Sequence, residues 1–224
     1  MMRPIRAVLF DLDGVLIDSE PVWERTRRDF VRLQDAEWNL DLQRQMMGVS
    51  TEVWAATLSR LIGGVLPPED VVRRVIDAMA DEYRRELPMI DGAVDVVLRL
   101  SHSYPLGIAS GSPRSLIELV LDLSGLTACF QATLSTDEIG RGKPAPDAYV
   151  ELARRLGVEP ADCAAVEDST NGLKSALAAG ATVIAVPPRA NMPDPAVLAQ
   201  ASAVLDGIKE LTPDLLRRLE GEPR

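Results

Sequence analysis

Apolar positions along the chain fall into two regimes. In the first they form short continuous runs: Ile5-Arg6-Ala7-Val8-Leu9-Phe10, Leu106–Ser110, Ala132–Leu134, Ala164–Val166 and Thr182–Val186. Runs this short, without alternation, predict strands of a parallel sheet buried on both faces. In the second they recur at helical spacing, as with Leu116, Leu119, Val120 and Leu123 in Ser115–Leu123. Asp147–Leu156 repeats the pattern before Gly157, and Asn171–Ala179 before Gly180, each glycine a stop signal. A closing helix is expected over Leu211–Leu219, with Thr212-Pro213 as its start signal. Strands alternating with helices of this length predict right-handed βαβ crossovers, hence an α/β fold with a doubly wound parallel sheet.

Residues 18–91 break that alternation. Apolar residues recur there at helical spacing (Trp23, Phe30, Leu33; Val53, Trp54, Leu58, Leu61; Val71, Val75, Met79), with no strand-like run between them. The predicted organisation is therefore a core domain of residues 1–17 and 92–224 with an all-helical domain of residues 18–91 inserted after the first strand. Trp23, Trp38 and Trp54, the chain's three tryptophans, all fall in the insert.

Composition changes the picture in three ways. With 224 residues, 46% hydrophobic and 26% charged, the chain has the profile of a globular protein of one large domain carrying an insert. A net charge of −10 opposes a phosphate backbone, so no nucleic-acid partner is expected, and a small anion must be met by local cations or a metal ion. Cys129 and Cys163 form no CxxC pair and are expected as free core thiols. No apolar run is long enough to span a membrane, and Ala7–Phe10 is cut short by Asp11, so a cytoplasmic protein without membrane contact is expected; a monomer is expected as well, though no motif reports it.

Four polar clusters fall at predicted strand ends, where open α/β sheets gather ligands. Asp11-Leu12-Asp13-Gly14 follows the first strand; in extended backbone the two carboxylates share a side, and Gly14 permits a sharp turn. Their mutual repulsion calls for a divalent cation, and hard oxygen donors favour Mg²⁺. Ser110-Gly111-Ser112 follows Leu106–Ala109 and offers hydroxyls and backbone N–H groups as an anion cradle. Lys143 sits in Lys143-Pro144-Ala145-Pro146-Asp147, and only Lys174 and Lys209 share its residue type. Glu167-Asp168-Ser169 follows Ala164–Val166 and supplies a second acidic pair to complete a metal site. Singly, each is an ordinary turn or helix start; together, in this order, they describe a site.

These four stretches, with Asp11-Leu12-Asp13-Gly14-Val15-Leu16 and Gly142-Lys143-Pro144-Ala145-Pro146-Asp147 the longest, resemble the four motifs of the haloacid dehalogenase superfamily of hydrolases. The insert resembles the C1 cap of its beta-phosphoglucomutase-like group. Asp18-Ser19-Glu20-Pro21-Val22-Trp23 and Met47-Gly48-Val49-Ser50 are most similar to the sugar and sugar-alcohol phosphatase branch. By that resemblance Asp11 attacks phosphorus and becomes an aspartyl-phosphate, and Asp13 is the general acid and then base. Crowding by other carboxylates is expected to favour the proton that Asp13 must carry. The resemblance has Mg²⁺ held by the Asp11 carboxylate, the Asp13 backbone carbonyl and Asp168, supported by Glu167. Ser110 and Lys143, with Gly111 and Ser112, would hold the phosphoryl oxygens. Glu20, Trp23, Met47 and Asn171 are the implied substrate contacts.

Within that family the mutases carry a histidine and basic cap residues where this chain has Trp23, Met47 and Thr51, and residues 18–91 contain no lysine. A second phosphate site is therefore not expected. The same missing lysine disfavours a phosphonate hydrolase, and Asp13 disfavours a dehalogenase. The expected function is hydrolysis of a small phosphorylated sugar or polyol. A mutase and a non-catalytic sugar-phosphate binding module are the alternatives. His102, the only histidine, is expected on the surface or in a loop, Trp54 in the cap core, and Arg27 and Arg28 on a solvated helix face.

Overall fold

A computed structural model describes residues 4–46, 49–189 and 191–220. Along the chain run β1 (Ala7–Phe10), α1 (Glu20–Arg32), α2 (Leu40–Met46), α3 (Thr51–Leu61), α4 (Pro68–Arg85), α5 (Ala93–Ser101), β2 (Leu106–Ser110) and α6 (Arg114–Ser124). Then follow β3 (Ala132–Ser135), α7 (Asp147–Arg155), β4 (Cys163–Glu167), α8 (Thr170–Ala178), β5 (Thr182–Ala185), α9 (Pro195–Leu198), β6 (Ala203–Val204) and α10 (Pro213–Leu219).

The strands form one parallel sheet in the order β3-β2-β1-β4-β5-β6. Every residue of β1, β2, β4 and β5 is buried, as expected of strands covered on both faces. Alternate residues feed two cores. Val8, Phe10, Leu106, Ile108, Val166 and Ile184 join the one that also holds α5, α6 and α10 residues. Leu9, Ala109, Leu134, Ala165 and Val183 face α7 and α8. Gly107 lets α7 approach β2, since a Cβ there would stand 2.9 Å from a Leu152 methyl.

Strand order reverses at β1. The chain steps outward through β2 and β3, then returns to the other side of β1 to lay down β4. In the register Phe10 pairs with Ile108 and Val166, so Asp11, Ser110 and Glu167 emerge together at the carboxyl ends of the three central strands, around a topological switch point.

Helices α1 to α4 lie between β1 and β2, with no strand among them in the described residues. The chain enters and leaves this stretch through paired segments: Ile17 bridges Met89 in antiparallel sense, Asp18 N–H donates to the Pro88 carbonyl at 2.8 Å, and Ile90 N–H to that of Leu16 at 2.9 Å.

Some expectations needed correction. Helix α5 and strand β6 lie outside the predicted elements. Helix α5 has a clear apolar stripe (Val96, Val97, Leu100) and a left-handed Gly92 at its start, whereas β6 is two residues long with Val204 exposed and carries no apolar run. Leu33 and Val53 are 81% and 50% exposed rather than core; Leu33 caps the end of α1, where the stripe has rotated away from the interior. His102 is exposed at the end of α5, bonded to the Leu98 carbonyl. Both cysteines are free and buried. No described helix is long and apolar enough to cross a membrane.

Candidate active site

Strand β1 delivers Asp11 to the sheet's carboxyl edge, where its N–H is held by the Val166 carbonyl at 3.0 Å. Lys143 reaches it from the loop between β3 and α7. The Lys143 ammonium donates to Asp11 Oδ1 at 2.7 Å, to Glu167 Oε1 at 2.6 Å and to the Ala109 carbonyl at 2.9 Å, so its three protons tie the ends of β1, β2 and β4 together. It also lies 5.0 Å from the Tyr149 ring centroid. Burial alone would lower the Lys143 pKa, but the Asp11 and Glu167 carboxylates outweigh it and hold the pKa well above the usual lysine value.

Asp11, Glu167 and Asp168 each offer a carboxylate oxygen, all within 4.8 Å of one another. Burial pushes Asp11 well above the usual carboxylate range; Lys143 opposes this, and the charges of Glu167, Asp168 and Asp13 add to it. Burial, reinforced by Glu167, likewise pushes Asp168 up to about 8. Two glycines give the acids room. A Cβ on Gly14, which turns at φ +82°, would fall 2.0 Å from Asp168 Oδ2, and one on Gly172 1.9 Å from Glu167 Oε2. Buried, mutually repelling carboxylate oxygens are the donor set a hard divalent cation fits.

Asp13 stands half-buried beside this cluster inside a ring of hydroxyls. Ser19 Oγ donates to its Oδ1 at 2.6 Å, and Ser110 Oγ and Ser112 Oγ donate to Oδ2 at 2.8 Å each. The Ser112 N–H in turn donates to Ser110 Oγ at 2.9 Å. Gly111 is exposed between them with open space where a Cβ would be.

Asp11, Asp13, Ser110, Ser112, Lys143, Glu167 and Asp168 are thus brought to one place. Glu20 is half-buried at the start of α1, next to Ser19, and accepts from Gln43 Nε2. Trp23 is buried against Trp54, ring centroids 6.0 Å apart. Asn171 is exposed on the first turn of α8, and none of the site's hydrogen bonds named above reaches it. Met47 lies outside the described residues.

Arg27 requires a correction. Far from a solvated face, it is 5% exposed, its guanidinium 4.5 Å from the Trp23 ring centroid and 5.3 Å from that of Trp54. Arg28 does lie at the surface, near Glu24 and Asp29. Trp23 four residues before Arg27 was the available signal, because side chains at that spacing meet on a helix.

Sequence reasoning also missed Tyr149 and Ser19 as parts of the site. Tyr149 belongs to the buried stripe of α7, and its hydroxyl donates to Glu167 Oε1 at 2.6 Å. A tyrosine in an otherwise apolar stripe was the clue, since its O–H needs a buried partner. Ser19 stands directly before α1, but its side chain bonds Asp13 and makes no capping bond to the helix.

Residues 5–180 match the haloacid dehalogenase-like hydrolase family. The chain belongs to that family. It is 33% identical over 220 residues to hexitol phosphatase B of Escherichia coli K12, covering 94% of this chain and 96% of that one. It is 28% identical to the fructose-1-phosphate phosphatase of the same organism, covering 83% and 98%. A solved haloacid dehalogenase family hydrolase from Deinococcus radiodurans, with bound phosphate and sodium, is 31% identical, with a TM-score of 0.71 over 99% of this chain and 100% of that one. Family and relatives together place this haloacid dehalogenase-like hydrolase among the phosphoric monoester hydrolases.

Proposed function

We propose that this hydrolase is a Mg²⁺-dependent phosphatase of a small phosphorylated sugar or polyol, working through an aspartyl-phosphate on Asp11. The observation that carries the reading is the convergence of Asp11, Lys143, Glu167 and Asp168 at the switch point of the sheet. Asp11 and Asp168 would hold the cation together with the Asp13 backbone carbonyl, Glu167 supporting them; when bound, the ion offsets the charge of the phosphoryl oxygens and of the carboxylates.

An Asp11 oxygen forms a bond to phosphorus as the bond from phosphorus to the leaving oxygen breaks, and Asp13 gives that oxygen its proton. In the second step water attacks the same phosphorus, Asp13 takes the water's proton, and the bond to Asp11 breaks, releasing inorganic phosphate. Asp13 accepts from three hydroxyls, and this supports the reading of it as the base of the second step; the Ser110 hydroxyl turns from Asp13 to a phosphoryl oxygen when the ester is bound. Lys143 neutralises charge building on those oxygens.

Residues 18–91 act as a cap that excludes water and reads the rest of the substrate. Ser19 on Asp13, and Thr51 Oγ1 on Asp137 Oδ2 at 3.0 Å, are contacts from that stretch to the sheet-bearing part. Glu20 is positioned to accept from a substrate hydroxyl. The test is a panel of phosphate esters assayed with Mg²⁺ and with EDTA, alongside Asp11→Asn. Phosphate release from sugar or polyol phosphates, lost with EDTA and in the variant, is expected; turnover surviving in Asp11→Asn would refute the covalent route.

A further inference from the structure

Arg27 lies on α1 two turns beyond Glu20, so Glu20, Trp23 and Arg27 share one stripe of the helix. A long side chain on a helix covers the turn before its own Cα, and the Arg27 guanidinium accordingly sits over Trp23, with Trp54 close by. Its Nη1 reaches the Met46 carbonyl only at 3.5 Å, and its buried Nε has no partner. Gln43, itself buried, spends its amide N–H on Glu20 and leaves its own Oε1 without a partner. One buried donor and one buried acceptor are thus unmatched within a single cluster, beside a carboxylate that can accept more.

A ligand that completes this set must both donate and accept. A hydroxyl does: it gives its proton to Gln43 Oε1 or Glu20 and accepts from Arg27. A phosphate at neutral pH accepts far more than it donates, leaves Gln43 Oε1 unmatched, and brings further negative charge beside Glu20 and Asp13, for which Arg27 is the cation of the cluster among the described residues. The charges act on one another: burial lowers the Arg27 pKa to about 10 although Glu20 and Asp13 pull it upward, so Arg27 stays charged at neutral pH.

We propose that Arg27 is a specificity-determining residue. With Glu20 and Gln43 it forms a subsite that takes a neutral hydroxyl of the substrate's carbon chain and disfavours a second phosphate. The proposal rests on the phosphatase reading for the identity of the reacting end, and it narrows the substrate class to hydroxyl-bearing monophosphates. A purely structural Arg27, stacked between two indoles, would instead be replaceable by methionine with substrate choice intact.

The experiment measures calorimetric affinities of a hexitol 6-phosphate, phenyl phosphate and a hexose 1,6-bisphosphate for Asp11→Asn protein, with and without Arg27→Met or Glu20→Gln. In parallel, kcat and KM are measured for the same changes in otherwise unaltered enzyme. The Arg27 protein should prefer the hexitol monophosphate to both others. Arg27→Met should lower hexitol phosphate affinity about tenfold more than that for phenyl phosphate, the scale of one charged hydrogen bond, with KM moving more than kcat and Arg27→Lys recovering part of the loss. Glu20→Gln, at a half-buried position, should shift preference toward the bisphosphate, and it decides the matter if Arg27→Met does not fold. An unchanged hexitol-to-phenyl ratio in folded Arg27→Met, or a bisphosphate preferred by the parent, overturns the proposal. Binding preferences as expected with no ester turned over would instead sink the phosphatase reading and leave the subsite standing; no binding of any ligand sinks both.

Discussion

Replacing Lys143 by methionine removes the one ammonium that joins Asp11 to Glu167 while keeping a side chain of similar length. Glu167 is fully buried and Asp11 nearly so, and the Lys143 side chain is only 11% exposed, so little solvent reaches the vacated position. Removing one partner of a buried ion pair costs about 3–5 kcal/mol because the other charge is left uncompensated. For a chain of this size that is roughly 6–20 °C in melting temperature. The pH dependence follows from the groups left behind. With its pKa raised in the folded state, Lys143 contributes stability that is fully present below the ordinary lysine pKa of 10.5, hence throughout the neutral range. In Lys143→Met, acid lets Asp11 take a proton, so the difference between the two proteins should be largest at neutral pH and shrink as the pH falls. Added Mg²⁺ should narrow it as well. The assay is a pair of thermal melts, parent and variant, across pH with EDTA and then with Mg²⁺. Equal melting temperatures at neutral pH in EDTA would refute the claim that Lys143 holds this cluster together.

Asp168, held up to about 8 in the fold against an ordinary 3.8, keeps a proton that the unfolded chain has already lost. Stability of the metal-free protein should therefore fall as pH rises from about 4 to about 8, and Mg²⁺ binding at pH 7 should release a proton; heats of Mg²⁺ binding that do not vary with the ionisation enthalpy of the buffer would contradict this. Gly14→Ala places a methyl on Asp168 and forces alanine into left-handed backbone, costing about 1–2 kcal/mol for the backbone alone; the Mg²⁺ concentration for half-maximal activity should rise. Tyr149→Phe removes a hydrogen bond to a buried carboxylate and should cost about 1.5–3 kcal/mol in urea denaturation, with a loss below 0.5 kcal/mol counting against the assigned role.

The strands that carry the site were readable because a strand buried on both faces leaves nothing but apolar residues, and the abrupt change to acids or serines marks its carboxyl end. That is why Asp11, Ser110 and Glu167 stood out together. Lys143 was readable through its rarity and its proline-rich loop. Tyr149 and Ser19 were not, because a helix and a helix start already account for their positions and only the packing of a second element reveals their partners; Arg27 had a signal in Trp23 on its own helix, but its burial also needs Trp54 of α3. Glu167 meets Tyr149 across 18 residues and Asp13 meets Ser110 across 97. β6 was illegible because two half-paired residues carry no pattern of their own.

The chain departs at Asp18 and comes back at Pro88 through neighbouring, mutually bonded segments. The two ends of the intervening stretch are therefore already side by side, and its length is of no concern to the sheet. Such a doorway lets one inserted stretch be exchanged for another as a cassette, while the sheet and the acidic cluster at its edge are inherited intact.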